Sequence, residues 1–316
     1  MDLKKTILPI LRYQLAQLTK VPTALTINLV DRCSLKCQMC DIWQNKGKDM
    51  PLADWHKALT QPLLRKITYI GLTGGEPLLY KELPQFATMV CGLYNLETLH
   101  LNTSGIYPSR LDAYLKIISN VRGPRFVIAI SLDGIESHDR IRGVKVYDKA
   151  LISLGMIRAC GIEATINCVA TDQKPNELDR LADLAESFKL PLNITPAYSR
   201  TDLNHDKEFV LSEETAKWVE DYLYKQQAKT KALPIGYILQ MRTGKRQLPC
   251  AFLDGAAVSL DANGELYVCQ NEFGMEHTAS LAERRKKLKQ AKCETCLSTC
   301  FNSLAMRGHI IKPLEL

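Results

Sequence analysis

Residues 24–43, ALTINLVDRCSLKCQMCDIW, place three cysteines directly behind a short apolar run. Ala24–Val30 has the aliphatic, β-branched character of a buried strand. Cys33, Cys37 and Cys40 follow at offsets of four and three. Three thiols cannot pair into disulfides without leaving one over. They also stop one ligand short of the four that saturate zinc or a closed iron–sulfur cluster. An incomplete set on a tight loop suits a centre that keeps one position open for a further ligand. A zinc knuckle that borrows a distant fourth ligand is the alternative.

Around this stretch the same rhythm repeats. Apolar runs at Lys66–Leu72, Glu97–Asn102, Arg125–Leu132, Glu163–Ala170 and Leu192–Ala197 read as five more strands. Helical patterns near 52–64, 81–92, 108–119, 146–160 and 176–189 separate them. Strand–helix alternation of this kind predicts an α/β fold, a parallel sheet curled into a partial (β/α)6 TIM-like barrel. In such barrels chemistry sits at the C-terminal ends of strands, where the cysteine stretch falls. A helix near 212–230 precedes a boundary at 233–236. Beyond it, Ala257–Leu260 and Glu265–Gln270 flank an Asn-Gly turn and predict a hairpin. We therefore expect a core over 1–233 and a small α+β unit over 234–316.

At 46% apolar and 24% charged, the 316-residue chain has the composition of an ordinary globular protein. No apolar run is long enough to span a bilayer. Residues 1–20 read as an amphipathic helix docked on the core; Pro9 and Arg12 interrupt the apolar patch that a signal peptide would need. Eleven cysteines without an export signal point to a reducing cytoplasm, where clustered thiols hold metal or do redox work. Much of the net charge of +7 lies in residues 283–292, ERRKKLKQAK, a solvated helix face. Nothing accompanies it that would read a nucleic acid.

Further motifs align with the first. Gly74–Gly75–Glu76–Pro77 ends the second strand: the glycines allow close backbone approach, and Pro77 holds Glu76 out of the helical region. Exposed carbonyls and a carboxylate there suit an ammonium group. Residues 131–143, SLDGIESHDRIRG, end the fourth strand. Together, Cys33–x3–Cys37–x2–Cys40, the GGEP turn and this third motif resemble the radical S-adenosylmethionine (SAM) superfamily over nearly the whole chain. Met39 departs from the aromatic residue that normally precedes the third cysteine; Trp43 lies nearby.

The resemblance implies a [4Fe–4S] cluster on the three cysteines, its open iron chelated by the amino and carboxylate groups of SAM. Reductive cleavage then yields methionine and a 5′-deoxyadenosyl radical that takes hydrogen from a substrate C–H bond. Gly74, Gly75, Glu76 and Pro77 would bind the methionine amino group, Ser131 the ribose and Arg142 the carboxylate. Asn102 and Asn167 would face the same cavity, although turns or caps are equally open readings of such strand ends. His138 reads as a structural cap. Cys168, at a strand end, is a candidate hydrogen-atom donor, whereas Cys91 and Cys160 read as helix hydrophobes.

The tail holds Cys250, Cys269, Cys293, Cys296 and Cys300. Their C-x13-G-x4-C and C-x2-C-x3-C spacings resemble the twitch/SPASM extension, which carries auxiliary [4Fe–4S] clusters. Cys250, Cys269, Cys293 and Cys296 are the expected ligands of a second cluster, with Cys300 as rival; structural zinc is the alternative. A reductant such as flavodoxin or ferredoxin is the implied partner. Many peptide-modifying relatives carry a leader-peptide-binding domain, for which this sequence has no counterpart. Short relatives with one auxiliary cluster include 2-deoxy-scyllo-inosamine dehydrogenase and aminoglycoside epimerases. The expectation is therefore dehydrogenation or epimerisation of a small-molecule sugar or aminocyclitol, with a peptide or protein side chain as the alternative. An iron–sulfur electron carrier is the non-enzyme reading, disfavoured because it needs no open iron beside GGEP.

Overall fold

The computed structural model describes residues 3–198, 203, 207–230, 245–246, 249–273, 279–293 and 296. Its core is a sheet of eight strands in the order β6-β5-β4-β3-β2-β1-β7-β8. The first six are β1 (Ala24–Val30), β2 (Tyr69–Gly74), β3 (Thr98–Thr103), β4 (Arg125–Ser131), β5 (Glu163–Ala170) and β6 (Leu192–Pro196). Each pairs in parallel with the next, and the sheet is not closed. The connecting helices are α2 (Leu52–Leu59), α3 (Leu83–Leu93), α4 (Pro108–Ile118), a short α5 (His138–Arg142), α6 (Tyr147–Ala159) and α7 (Pro175–Ser187). This is the α/β partial barrel that the strand–helix alternation predicts. The helix expected over 52–64 stops at Leu59, and Pro62–Leu64 forms a separate 3-10 turn, because Pro62 has no N–H to continue the ladder.

Alternation along the strands decides what faces what. In β3, Leu99, Leu101 and Thr103 are buried while Thr98, His100 and Asn102 are half-buried. Leu99 and Leu101 join Ile128, Ile130 and Ile166 in one core with Phe86, Tyr114, Leu154 and Leu181 of the helices. The opposite, polar-bearing face lines the barrel interior.

The chain returns to this sheet after α8 (Glu213–Thr230). A short helix α9 (Ala251–Asp254) leads into β7 (Ala257–Leu260), which pairs in parallel with β1 on the side away from β2. Antiparallel β8 (Leu266–Tyr267) completes the expected hairpin. Thus the hairpin extends the barrel sheet. α1 (Leu3–Thr19) docks through Tyr13 and Ala16, which are buried with Ala251, Phe252, Val268 and Leu288 in a second cluster. Tyr13 Oη donates to Asp254 at 2.6 Å. Leu288 ends α10 (Leu281–Leu288), whose Ser280–Glu283 capping box fixes its start. The boundary expected at 233–236 lies outside the described residues.

Candidate functional site

The loop that follows β1 is held from two sides. From below, the end of β2 presses against it: Gly75 N donates to the Val30 carbonyl at 2.8 Å and Glu76 N to that of Arg32 at 3.0 Å. A Cβ on Gly75 would stand 1.9 Å from the Arg32 oxygen, and one on Gly74 (φ +122) 2.5 Å from that of Val30. The glycine pair therefore serves an approach to the chain entering the cysteine loop, where the sequence suggested approach to a ligand. From the other side, α5 bonds to the loop through Lys36 N to Arg142 O and Gln38 N to Ile141 O, both 2.9 Å.

Cys37 lies in a buried group with Leu35, Met39, Ile106 and Ile141, and the half-buried Cys33 and Cys40 pack against it. Burial pushes the Cys33 thiol up to about 12 and Cys40 to about 11, with Cys37 adding to the rise of both. Burial also raises Cys37, while the Arg142 guanidinium opposes the rise. Leu35 N donates to Cys33 Sγ at 3.4 Å, and Arg142 Nη1 stands 3.8 Å from Cys37 Sγ. Among the described residues, no three His, Cys, Asp or Glu side chains converge as a single bound ion requires. A cubane places each cysteine on its own iron, so three sulfurs on one loop, with N–H donors aimed at two of them, fit the cluster. Binding would displace three thiol protons. Met39 is buried in the same group, whereas Trp43 lies outside it under the Lys36 ammonium.

Glu76 is extended (φ −109°, ψ 105°), as a residue before proline should be. Its carboxylate, however, turns into the fold. Oε1 accepts from Leu78 N at 3.0 Å and the Thr103 hydroxyl at 2.5 Å; Oε2 accepts from Ser104 N at 2.9 Å and the Ser104 hydroxyl at 2.5 Å. With four donors already in place and 2% exposure, the side chain ties β2 to the end of β3. The Glu76 carbonyl in turn accepts from Leu79 N at 2.9 Å.

Inside the barrel, Asn167 Nδ2 donates to Asn102 Oδ1 and Asn193 Nδ2 to Asn167 Oδ1, both at 3.0 Å. Ser131 pairs in register with Asn167 and shares its face. Cys168 points the other way: it is 1% exposed within the helix-side core, next to Ile166 and Leu178. A donor of hydrogen atoms must reach the cavity, so that expectation is withdrawn. Cys91 packs against the core, as read from its helix, but Cys160 is exposed, because α6 ends one residue before it.

Arg142 forms a fork with Asp133: Nε to Oδ2 at 2.5 Å and Nη2 to Oδ1 at 3.0 Å. Asp133, two residues beyond β4 in the third motif, is a fully buried acid that sequence reasoning missed, because its burial is not legible in the sequence. His138 Nδ1 accepts from Asp133 N at 3.1 Å, and burial lowers its pKa to about 4. The ring is thus a neutral cap. Glu177 of α7 receives Ile135, Glu136 and Ser137 N–H groups on Oε1 and fixes the loop after β4.

In the tail, Cys250, Cys269 and Cys293 border the second apolar cluster. Burial raises Cys269 well above its ordinary value, and Cys250, Cys293 and Cys296 add to the rise. Asn271 Nδ2 donates to Cys296 Sγ at 3.5 Å, and Gln270 Nε2 reaches Asn28 Oδ1 of β1 at 2.7 Å. Cys300 lies outside the described residues.

A partial barrel with three clamped cysteines after its first strand defines a class of enzyme. The Radical SAM superfamily model matches residues 27–185, and the chain belongs to that superfamily. Membership carries a [4Fe–4S] cluster and SAM. The chain is 30% identical to the pre-heme d1 synthase of Dinoroseobacter shibae over 165 residues, 50% of this chain and 39% of that protein. It is 27% identical to the PqqA peptide cyclase of Rhizobium meliloti over 53% of this chain and 45% of that one. These matches span less than half of either relative. A GTP 3′,8-cyclase of Sinorhizobium medicae aligns at 25% identity over 91% of this chain and 85% of its own. In fold, the chain resembles Streptococcus suis SuiB bound to precursor peptide SuiA (TM-score 0.65, 17% identity, covering 88% of this chain and 67% of that one). No described helix is long and apolar enough to cross a membrane.

Proposed function

We propose that this enzyme cleaves SAM reductively and takes a hydrogen atom from a C–H bond of a peptide or protein substrate. The clamp on Cys33, Cys37 and Cys40 carries the reading, because it fixes three thiol ligands and leaves the fourth position to SAM. When bound, the cluster and SAM supply the 5′-deoxyadenosyl radical. The chain's own part is to hold them. Carbonyls of Gly74 and Gly75 receive the methionine ammonium, with Glu76 and Pro77 shaping the turn: the Glu76 carbonyl already accepts from Leu79 N. Arg142 Nη1, one N–H of which faces Cys37 Sγ, offers its second N–H to the carboxylate, and Ser131, Asn102 and Asn167 face the ribose and the substrate.

Carboxamides both donate and accept, which complements a peptide unit. The relatives are named for a peptide, a nucleotide and a haem precursor. The sugar or aminocyclitol reading, with its dehydrogenation or epimerisation, has no such support and ranks second. A twitch/SPASM-like unit over 234–316 would hold a second [4Fe–4S] cluster on Cys250, Cys269, Cys293 and Cys296. It would exchange an electron with the substrate radical, which zinc cannot do. Flavodoxin or ferredoxin would supply electrons in a cytoplasmic setting.

The test uses anaerobically reconstituted protein with SAM and a chemical reductant. Deuterium reaching 5′-deoxyadenosine from a uniformly deuterated peptide mixture, and none from deuterated cyclitols, is the expected result. The reverse pattern would restore the cyclitol reading. No 5′-deoxyadenosine from either would overturn the proposal.

A further inference from the structure

Cys37 differs from its two companions. It is the most buried of the three at 8% exposure, and its sulfur faces a guanidinium, Arg142 Nη1 at 3.8 Å. The position of Arg142 is over-determined. Its carbonyl and that of Ile141 accept from the residues on both sides of Cys37, Lys36 N to Arg142 O and Gln38 N to Ile141 O. The next residue, Gly143, turns left-handed (φ +71), and a Cβ there would stand 2.4 Å from the Lys36 oxygen. Only glycine allows α5 to lie this close to the cysteine loop.

The side chain is fixed as firmly. Asp133 grips Nε and Nη2 in a planar fork, which leaves Nη1 turned to Cys37. Asp133 has no freedom of its own. It is 0% exposed, its Oδ1 accepts from Val169 N at 2.9 Å, its N–H is capped by His138, and its carbonyl accepts from Gln173 Nε2 at 3.0 Å. Strand β5 and the loop after β4 thus converge on one carboxylate, which aims one arginine at one sulfur.

We propose that Asp133, acting through Arg142, sets the reduction potential of the cluster held by Cys33, Cys37 and Cys40. This rests on the radical SAM reading of those cysteines. A reduced cluster carries one more negative charge than an oxidised one. A cationic N–H donor at a ligating sulfur therefore favours reduction, and donors to sulfur tune cluster potentials generally. The carboxylate has two opposed effects: it holds the donor in line, and it offsets part of its charge. Asp133 touches neither cluster nor SAM and is a positioning residue.

The opposed effects give a test that a purely structural role would not pass. The potential is read by redox titration of the reduced-cluster electron paramagnetic resonance signal, recorded without SAM. The signal of this cluster is recognised as the one that changes when SAM is added. In Asp133→Asn the amide oxygen still accepts from the guanidinium, so Arg142 stays beside Cys37 while its counter-charge is gone, and the potential should move positive of wild type. In the double variant Asp133→Asn with Arg142→Met both charges and the N–H donor are lost, and the potential should move negative. Arg142→Lys keeps the charge without the fork and should fall between the double variant and wild type; it serves if the double variant fails to fold. Potentials unchanged across these variants at wild-type iron content would overturn the proposal, as would shifts of one sign only. A wild type without a SAM-responsive signal would instead overturn the radical SAM reading, and this inference with it.

Discussion

The two cysteine groups are built by opposite means. Cys33, Cys37 and Cys40 lie on one loop, and main-chain bonds from β2 and α5 shape that loop. The tail cysteines come from four separate places: before α9, after β8, after α10 and at position 296. What brings the first three together is a small apolar cluster shared with α1. A preorganised loop costs little ordering free energy on loading, whereas a site gathered from distant segments makes ligand binding part of folding. The barrel-end site should therefore behave as a socket and the tail site as a staple.

The largest effects break this contrast directly. Replacing Cys33, Cys37 and Cys40 together by alanine should abolish SAM cleavage and leave about four irons, the complement of one cubane in the tail. Circular dichroism should show the fold intact. Replacing Cys250, Cys269, Cys293 and Cys296 should leave SAM cleavage measurable but end substrate turnover, with Tm clearly lower. One zinc and no iron in the first variant would make the tail structural.

Next in size is Gly75→Ala, which drives a methyl group into the Arg32 carbonyl. It should cost ~3 kcal/mol or more, read by denaturant unfolding, and should weaken cluster loading.

Glu76→Ala strips a buried carboxylate from the Thr103 and Ser104 hydroxyls and two N–H groups. A loss of ~1–3 kcal/mol is expected. SAM affinity should fall roughly tenfold through the displaced glycine turn, with the cluster spectrum retained. Full stability with lost affinity would return the carboxylate to the ligand.

A gentler probe is pH. His138 titrates near 4 when folded and near 6.5 when unfolded. A depressed histidine pKa favours the folded state above 6.5, and that contribution drains away as pH falls from 6.5 towards 4. It amounts to at most ~3 kcal/mol. His100, lowered to about 4 by burial and then by Arg125, acts in the same sense. Unfolding titrations of His138→Asn should lose part of this acid sensitivity without losing iron. Smallest of all, Arg12→Ala breaks the half-exposed pair with Glu97 and should cost under ~1 kcal/mol.

Strand placement was legible because period-2 and period-3.6 patterns alternate cleanly; β1, β5 and β7 begin and end where their apolar runs do. The cysteine loop was legible from spacing alone. What escaped was pairing at a distance. Nothing in Ala257–Leu260 says that its partner is a strand more than two hundred residues earlier. Nor does the sequence say that Glu76 would spend its carboxylate on Thr103 and Ser104, since a motif names a residue type without the direction of its side chain. Cys168 was misread for a simpler reason. Parity along β5 sends Asn167 inward and its neighbour outward, so one residue of shift reverses a role.

The parallel pairing of β7 with β1 also orders the protein's birth. β1 leaves the ribosome more than two hundred residues ahead of its outer neighbour. Until β7 emerges, the strand that leads into the cysteine loop has an unpaired hydrogen-bonding edge, a surface that invites wrong partners. Chains released before residue 257 would keep that edge open. Nascent-chain arrest at successive lengths should therefore show aggregation falling sharply once β7 has emerged, well after the barrel's helices have formed.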